Sequence, residues 1–101
     1  MPRKLKPITP GEILLEEFLN PLGISQSKLA RDLSVSVGRI NHIVQGKRAI
    51  TPDTALRLSV YFNMTPEFWM NLQNHYDLKL AKQNLLPKIE RSVKRAEQKA
   101  A

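Results

Sequence analysis

Gln26-Ser27-Lys28-Leu29-Ala30-Arg31-Asp32-Leu33, then Ser34-Val35-Ser36, then Val37-Gly38-Arg39-Ile40-Asn41-His42-Ile43-Val44-Gln45 is the stretch whose reading decides the fold. Ser25 and Ser36 each stand one position before a run with apolar residues at helical spacing, and a serine oxygen there accepts an orphan backbone N–H. Gly46 comes next as the left-handed residue that ends many helices. Ala30 is small enough to let two helices approach closely, and Leu29, Leu33, Val35, Ile40 and Val44 supply a shared apolar wedge. A two-turn helix, a three-residue connection and a second helix make a helix-turn-helix over residues 25–46.

Placed at about 100° per residue, the second of these helices turns Val37, Ile40, Ile43 and Val44 inward. Gly38, Asn41, His42 and Gln45 then face outward, with Arg39 at the boundary. Asn and Gln pair bidentately with adenine and Arg with guanine, so Gly38, Arg39, Asn41, His42 and Gln45 are the candidate base-contacting set. Ser25 and Gln26 open the first helix and Ser36 opens the second, where N–H groups and helix dipoles attract phosphate. Lys47 and Arg48 come directly after Gly46 and complete the candidate phosphate contacts. The same residues also suit an ordinary solvated helix and a basic loop, so the pattern alone leaves both readings open.

Working outward, Thr9-Pro10-Gly11-Glu12 carries a capping threonine, a proline at the first helical position and a glutamate three residues on. A first helix is expected from Pro10 to about Asn20, stopped by Pro21, with Leu14, Leu15, Phe18, Leu19 and Leu22 inward and Glu12, Glu16 and Glu17 toward solvent. Gly23 breaks the chain before Ser25. Thr51-Pro52 and Thr65-Pro66 repeat the cap-then-proline signature, giving a fourth helix over 52–62 and a fifth over 66–83. No strand pattern competes. The expected fold is all-α: a basic arm over 1–8, a five-helix phage-repressor-like domain over 9–83, and a basic tail over 84–101. Pro87 interrupts the tail, leaving residues 88–99 as either a separate amphipathic helix or a solvated, fraying end.

A chain of 101 residues has the size of one domain. With no cysteine it has no disulfide, thiolate metal site or cysteine nucleophile. No run approaches the roughly 20 apolar residues of a membrane span, and no N-terminal signal pattern appears. A soluble, cytoplasmic protein without membrane association is expected. The formal charge is +7, which suits a polyanionic partner but also anionic membranes or acidic proteins. Arg3, Lys4 and Lys6 form the arm, and the tail adds Lys88, Arg91, Lys94, Arg95 and Lys99 against Glu90 and Glu97. Around the helix-turn-helix, Lys28, Arg31, Arg39, Lys47 and Arg48 stand against Asp32.

Catalysis finds little support. His42 and His75 lie far apart without further ligands, and no metal site or cofactor is expected. Asp77 near His75 lacks the strand-turn setting of a catalytic triad. A nuclease would need clustered carboxylates or a histidine pair near the basic face, where Asp32 and Asp53 are the only candidates. Phe68, Trp69, Leu72 and Tyr76 read as packing residues in excess of one small core. A single helix-turn-helix buries too little DNA surface for high specificity, so a homodimer built mainly through the fifth helix is expected, with Trp69, Leu72 and Tyr76 at its interface.

The chain resembles the HigA antitoxins, of the XRE or phage-repressor-like helix-turn-helix group. The resemblance rests on Pro10-Gly11-Glu12-Ile13-Leu14, Gly23-Ile24-Ser25-Gln26 with Leu29-Ala30, and Gly46-Lys47-Arg48-Ala49-Ile50-Thr51. It extends to Ala55-Leu56-Arg57-Leu58 and to Glu67-Phe68-Trp69-Met70-Asn71-Leu72-Gln73 with Tyr76-Asp77-Leu78. It covers about residues 8–80. The helix-turn-helix alone marks the wider group, and its combination with the 67–78 block points to HigA. The resemblance implies an antitoxin that dimerises, binds operator double-stranded DNA, represses its own operon and neutralises a HigB-type ribonuclease toxin. A solitary regulator of the same fold is the alternative. Because a ribonuclease must be basic to hold RNA, Glu12, Glu16 and Glu17 are the expected toxin contact, with mere solubilisation of the first helix as the alternative reading. Ser34 departs from the glycine that many members carry in the turn, a position where glycine adopts positive φ more readily.

Overall fold

The computed structural model describes residues 6–97, and among these it contains helices and connections but no strand. Helix α1 covers residues 10–22. Then come α2 (Gln26–Leu33), α3 (Val37–Val44), α4 (Pro52–Phe62), α5 (Pro66–Asn84) and α6 (Leu86–Ser92). Arg3, Lys4 and Lys99, part of the basic arm and tail, lie outside the described residues. The tail resolves in favour of a helix, which begins before Pro87 and ends at Ser92, shorter than the 88–99 segment considered from the sequence. Among the described residues the domain thus has its five expected helices, and α6 is a sixth in the tail.

Local chemistry sets most helix ends. The side chains of Thr9, Ser25 and Ser36 accept from the N–H groups of Glu12, Lys28 and Arg39 at 3.1, 3.0 and 3.1 Å. Thr51 and Thr65 make no such side-chain bond, and their carbonyls accept from the first turn instead. Helices α1 to α4 all close through a left-handed residue: Gly23, Ser34, Gly46 and Asn63, with φ of 67°, 59°, 77° and 56°. In each case the next residue's N–H returns to a carbonyl five positions back: Ile24 to Leu19, Val35 to Ala30, Lys47 to His42, and Met64 to Ser59. This pairing satisfies carbonyls that the helix end would leave orphaned.

Helix α1 departs from the expected geometry. Its middle, Leu14–Leu19, is π-helical, and the Asn20 N–H donates to the Leu15 carbonyl. The wider turn accommodates Pro21, whose ring would clash with the preceding turn of a regular α-helix, so the helix runs on to Leu22 instead of stopping at Pro21. It also shifts the phase of the last residues of the helix. Leu14 and Leu19 are fully buried, but Leu22 is 60% exposed, not inward as a uniform 100° step suggests.

Leu14 and Leu19 meet Leu29, Ala30 and Leu33 of α2, Ile40 and Ile43 of α3, Ala55 and Leu58 of α4, Ile50 and Trp69 in one core. Phe18, Phe62 and Phe68 surround Trp69, with ring centroids 4.9, 6.2 and 5.0 Å away. The expectation of an interfacial Trp69 is corrected here: its relative exposure is 0% within the single chain. Three phenylalanines from α1, α4 and α5 already cover it. Its Nε1 has no hydrogen-bond partner among the described residues, a desolvation cost that the packing around the indole must offset. Beyond Gln73 no residue of α5 is buried, and α6 is exposed throughout.

Two contacts hold α3 and the loop after it, and a third holds the end of α2. Gly11 packs against the end of α3 so closely that a Cβ there would lie 1.8 Å from the Ile43 carbonyl oxygen and 2.9 Å from the Val44 Cα. On α5, buried Gln73 accepts at Oε1 from the Ile50 N–H at 2.8 Å and donates from Nε2 to Asp77 at 2.9 Å. Arg57 of α4 donates to the Leu33 carbonyl at 2.8 Å, closing the end of α2, and to Asp53 at 2.9 Å.

Substitutions at two backbone-limited positions act in opposite directions. Ser34→Gly relieves a left-handed serine and raises stability by about 0.5–1 kcal/mol, after allowing for glycine's greater freedom in the unfolded chain. Gly11→Ala forces Cβ into the backbone of α3 and lowers stability by about 3 kcal/mol. Urea unfolding followed by the fluorescence of Trp69 measures both; equal effects from the two variants would contradict this geometry.

Candidate nucleic-acid interface

The face expected to meet bases is built on α3, whose inner side is fixed by buried Ile40 and Ile43. His42 and Gln45 are exposed on the opposite side, and Gly38 and Asn41 are half-buried. A Cβ built on Gly38 would meet nothing within 4 Å, so the space before that backbone is open. Val37 is not inward: it is 45% exposed. It opens the helix beyond the reach of the core that closes over Ile40 one turn later.

Arg39 is less free than the sequence suggested. Its Nη1 donates to Asp53 Oδ2 at 2.9 Å, and its side chain keeps 26% exposure. The same carboxylate oxygen accepts from Arg57 Nε at 2.9 Å. Arg57 and Arg39 hold the Asp53 carboxyl below its ordinary value of 3.8. Asp53 therefore stays ionised through neutral pH. Its contribution to stability is present above the ordinary value and is lost only as pH falls through its lowered one. Asp32 is likewise lowered, by Lys28 at 2.8 Å and by the Tyr61 hydroxyl at 2.8 Å. Both expected nuclease candidates are thus occupied by ion pairs.

The expected phosphate contacts ring this face. Ser25 and Ser36 are exposed, and Gln26 is half-buried beside Ser25. Each serine oxygen accepts from its own helix, which leaves the O–H free to donate to a phosphate. Lys47 and Arg48 are exposed, and no ion pair is found for either among the described residues. Their backbone N–H groups both donate to the His42 carbonyl, at 2.8 and 3.2 Å. That bond and the Gln73 clamp on Ile50 set where the two cations stand. Gln73 has no role that sequence reasoning assigns; a glutamine inside an apolar run is the signal that could have found it.

Elsewhere, Glu12, Glu16 and Glu17 are all exposed on α1. Leu72 and Tyr76 are half-buried and line a groove of ≈ 350 Å³ with Ile8 and Ile13, rimmed by Lys6 and Lys79. Among the described residues no group of His, Asp and Glu is placed to hold a metal ion, and no helix is long and apolar enough to cross a membrane.

The chain matches the family model described as helix-turn-helix over residues 15–69. It is 54% identical over 77 residues to virulence-associated protein I of Dichelobacter nodosus, covering 76% of this chain and 71% of that protein. Among solved structures it is similar to the Pseudomonas aeruginosa antitoxin HigA with the higBA promoter, at 44% identity and a TM-score of 0.86, over 90% of this chain and 99% of that one. An addiction module antidote protein of the HigA family from Coxiella burnetii matches at 46% identity and a TM-score of 0.84, over 91% and 100% of the two chains. The chain belongs to the XRE-type helix-turn-helix proteins and, within them, to the HigA antitoxin family.

Proposed function

We propose that this chain is a cytoplasmic antitoxin that binds operator double-stranded DNA as a homodimer, represses its own operon by occluding the promoter, and neutralises a HigB-type ribonuclease toxin by direct contact. It performs no reaction of its own. The observation that carries the DNA reading is the outward face of α3, where His42, Gln45 and open Gly38 stand beside two cations with no ion-pair partner among the described residues. The HigA relative bound to the higBA promoter supports the same reading.

In this reading Gly38, Arg39, Asn41, His42 and Gln45 approach base edges, and Ser25, Gln26, Ser36, Lys47 and Arg48 approach phosphates. Arg39 must share or leave Asp53 to reach a base, so its contribution depends on that pair. Arg39→Ala lowers operator affinity by about 1–3 kcal/mol and relaxes preference at one base pair. Lys47→Ala weakens all sequences alike and reduces the salt dependence by about one unit of slope. Titrating labelled duplexes at several salt concentrations distinguishes the two; unchanged affinity in both variants would remove this face as the DNA surface.

Leu72 and Tyr76, open in the groove beside Ile8, are the remaining interface candidates on α5 now that Trp69 belongs to the core. The double variant Leu72→Ala/Tyr76→Ala is expected to sediment as a monomer at micromolar concentration while keeping its helical circular dichroism. A fully dimeric double variant would place the interface elsewhere.

Glu12, Glu16 and Glu17 offer an acidic surface to a basic ribonuclease. Replacing all three by lysine is expected to abolish protection of RNA from a HigB-type ribonuclease in a cleavage assay and to leave operator binding intact. Full protection by the charge-reversed protein would exclude this surface.

A further inference from the structure

Exposed Val37 is the one aliphatic side chain on the outward half of α3. A lone exposed valine is ordinary, so its position carries the argument. It occupies the first helical position, directly after the capping Ser36. A β-branched side chain has no particular advantage there for helix formation, and the core does not use it: Ile40 and Ile43, the aliphatics that do pack inward, are 0% and 1% exposed. Spacing of four puts Val37 on one line with Asn41 and Gln45, as Gly38 lines up with His42. Val37 thus heads the row of hydrogen-bonding groups, at the end of a recognition helix whose first residues contact base edges.

The major groove presents donors and acceptors, plus one apolar group, the C5-methyl of thymine. A valine pressed against any other base edge would desolvate a polar atom without pairing it. Open space before Gly38 lets the helix come close enough for Val37 to touch a base. We infer that Val37 is a specificity-determining residue that selects thymine at one operator position by packing on its C5-methyl group. This rests on the DNA reading above and extends it to a residue outside the hydrogen-bonding set.

The test uses the full chain to select duplexes from a randomised pool, and then replaces each thymine of the selected duplex, one at a time, by deoxyuridine, which lacks only the methyl. One such replacement is expected to weaken the wild type about fivefold, while Val37→Ala, already weaker by a similar factor on the thymine duplex, is indifferent to it. Val37→Thr, which keeps one methyl and the side-chain volume, falls between them and provides the comparison if the alanine variant melts at lower temperature. If no deoxyuridine duplex weakens the wild type, or if wild type and Val37→Ala lose equally at each position, the inference fails and the DNA reading stands. If selection enriches no sequence, the DNA reading fails as well.

Discussion

At the start of α1 the backbone of Gly11 lies against the backbone at the end of α3 with no room for a single carbon between them. Core side chains fix which side of α3 is buried, but apolar packing is non-directional and tolerates sliding. A contact between two backbones does not, because neither has a rotamer to change. It sets the depth of α3 relative to α1, and through it the position of Gly46, Lys47 and Arg48. The geometry of the helix-turn-helix thus depends on a residue about thirty positions away in the chain.

Hydrogen bonds and ion pairs hold the other two sides of the helix-turn-helix. Gln73 meets the Ile50 N–H in a buried setting, where leaving that donor unpaired costs about 1–3 kcal/mol, so the loop has one favoured course. On the far side Arg57 joins the end of α2 to Asp53, and Asp53 joins α4 to Arg39 of α3. This second network is exposed, and surface pairs of this kind contribute little to stability. Its effect is on orientation: it offers Arg39 one resting place beside the outward face of α3 and keeps its charge balanced there. A buried hydrogen bond thus anchors the loop after α3, and a weak, exchangeable pair holds Arg39.

The same architecture divides the chain into a closed body and an open end. Three phenylalanine rings from three helices shut around Trp69, so the half of α5 up to Gln73 belongs to the core. Past it, Leu78, Leu85, Leu86, Ile89 and Val93 remain 40–59% exposed. The apolar surface that the core leaves uncovered therefore lies on the outer part of α5 and on α6.

Helix boundaries are legible in the sequence because capping is local: Thr9, Ser25 and Ser36 bond to N–H groups three residues on, and Gly23 and Gly46 close turns within six residues. So are the helix-turn-helix itself and the inward Leu29, Leu33 and Ile40, which come from period alone. Only the tertiary structure decided the contacts between groups brought together from afar: Arg39 with Asp53, Ile50 with Gln73, Tyr61 with Asp32. Residue type suggests an interface for Trp69 because an aromatic ring suits a core and an interface alike, and only three phenylalanines from other segments distinguish the two. A uniform helical step turns Val37 inward because it ignores where the neighbouring helices stop, and it misplaces Leu22 because the π turn alters the step itself. Sequence determines where a helix starts and which residues share a face; whether that face is covered depends on chain that folds over it from elsewhere.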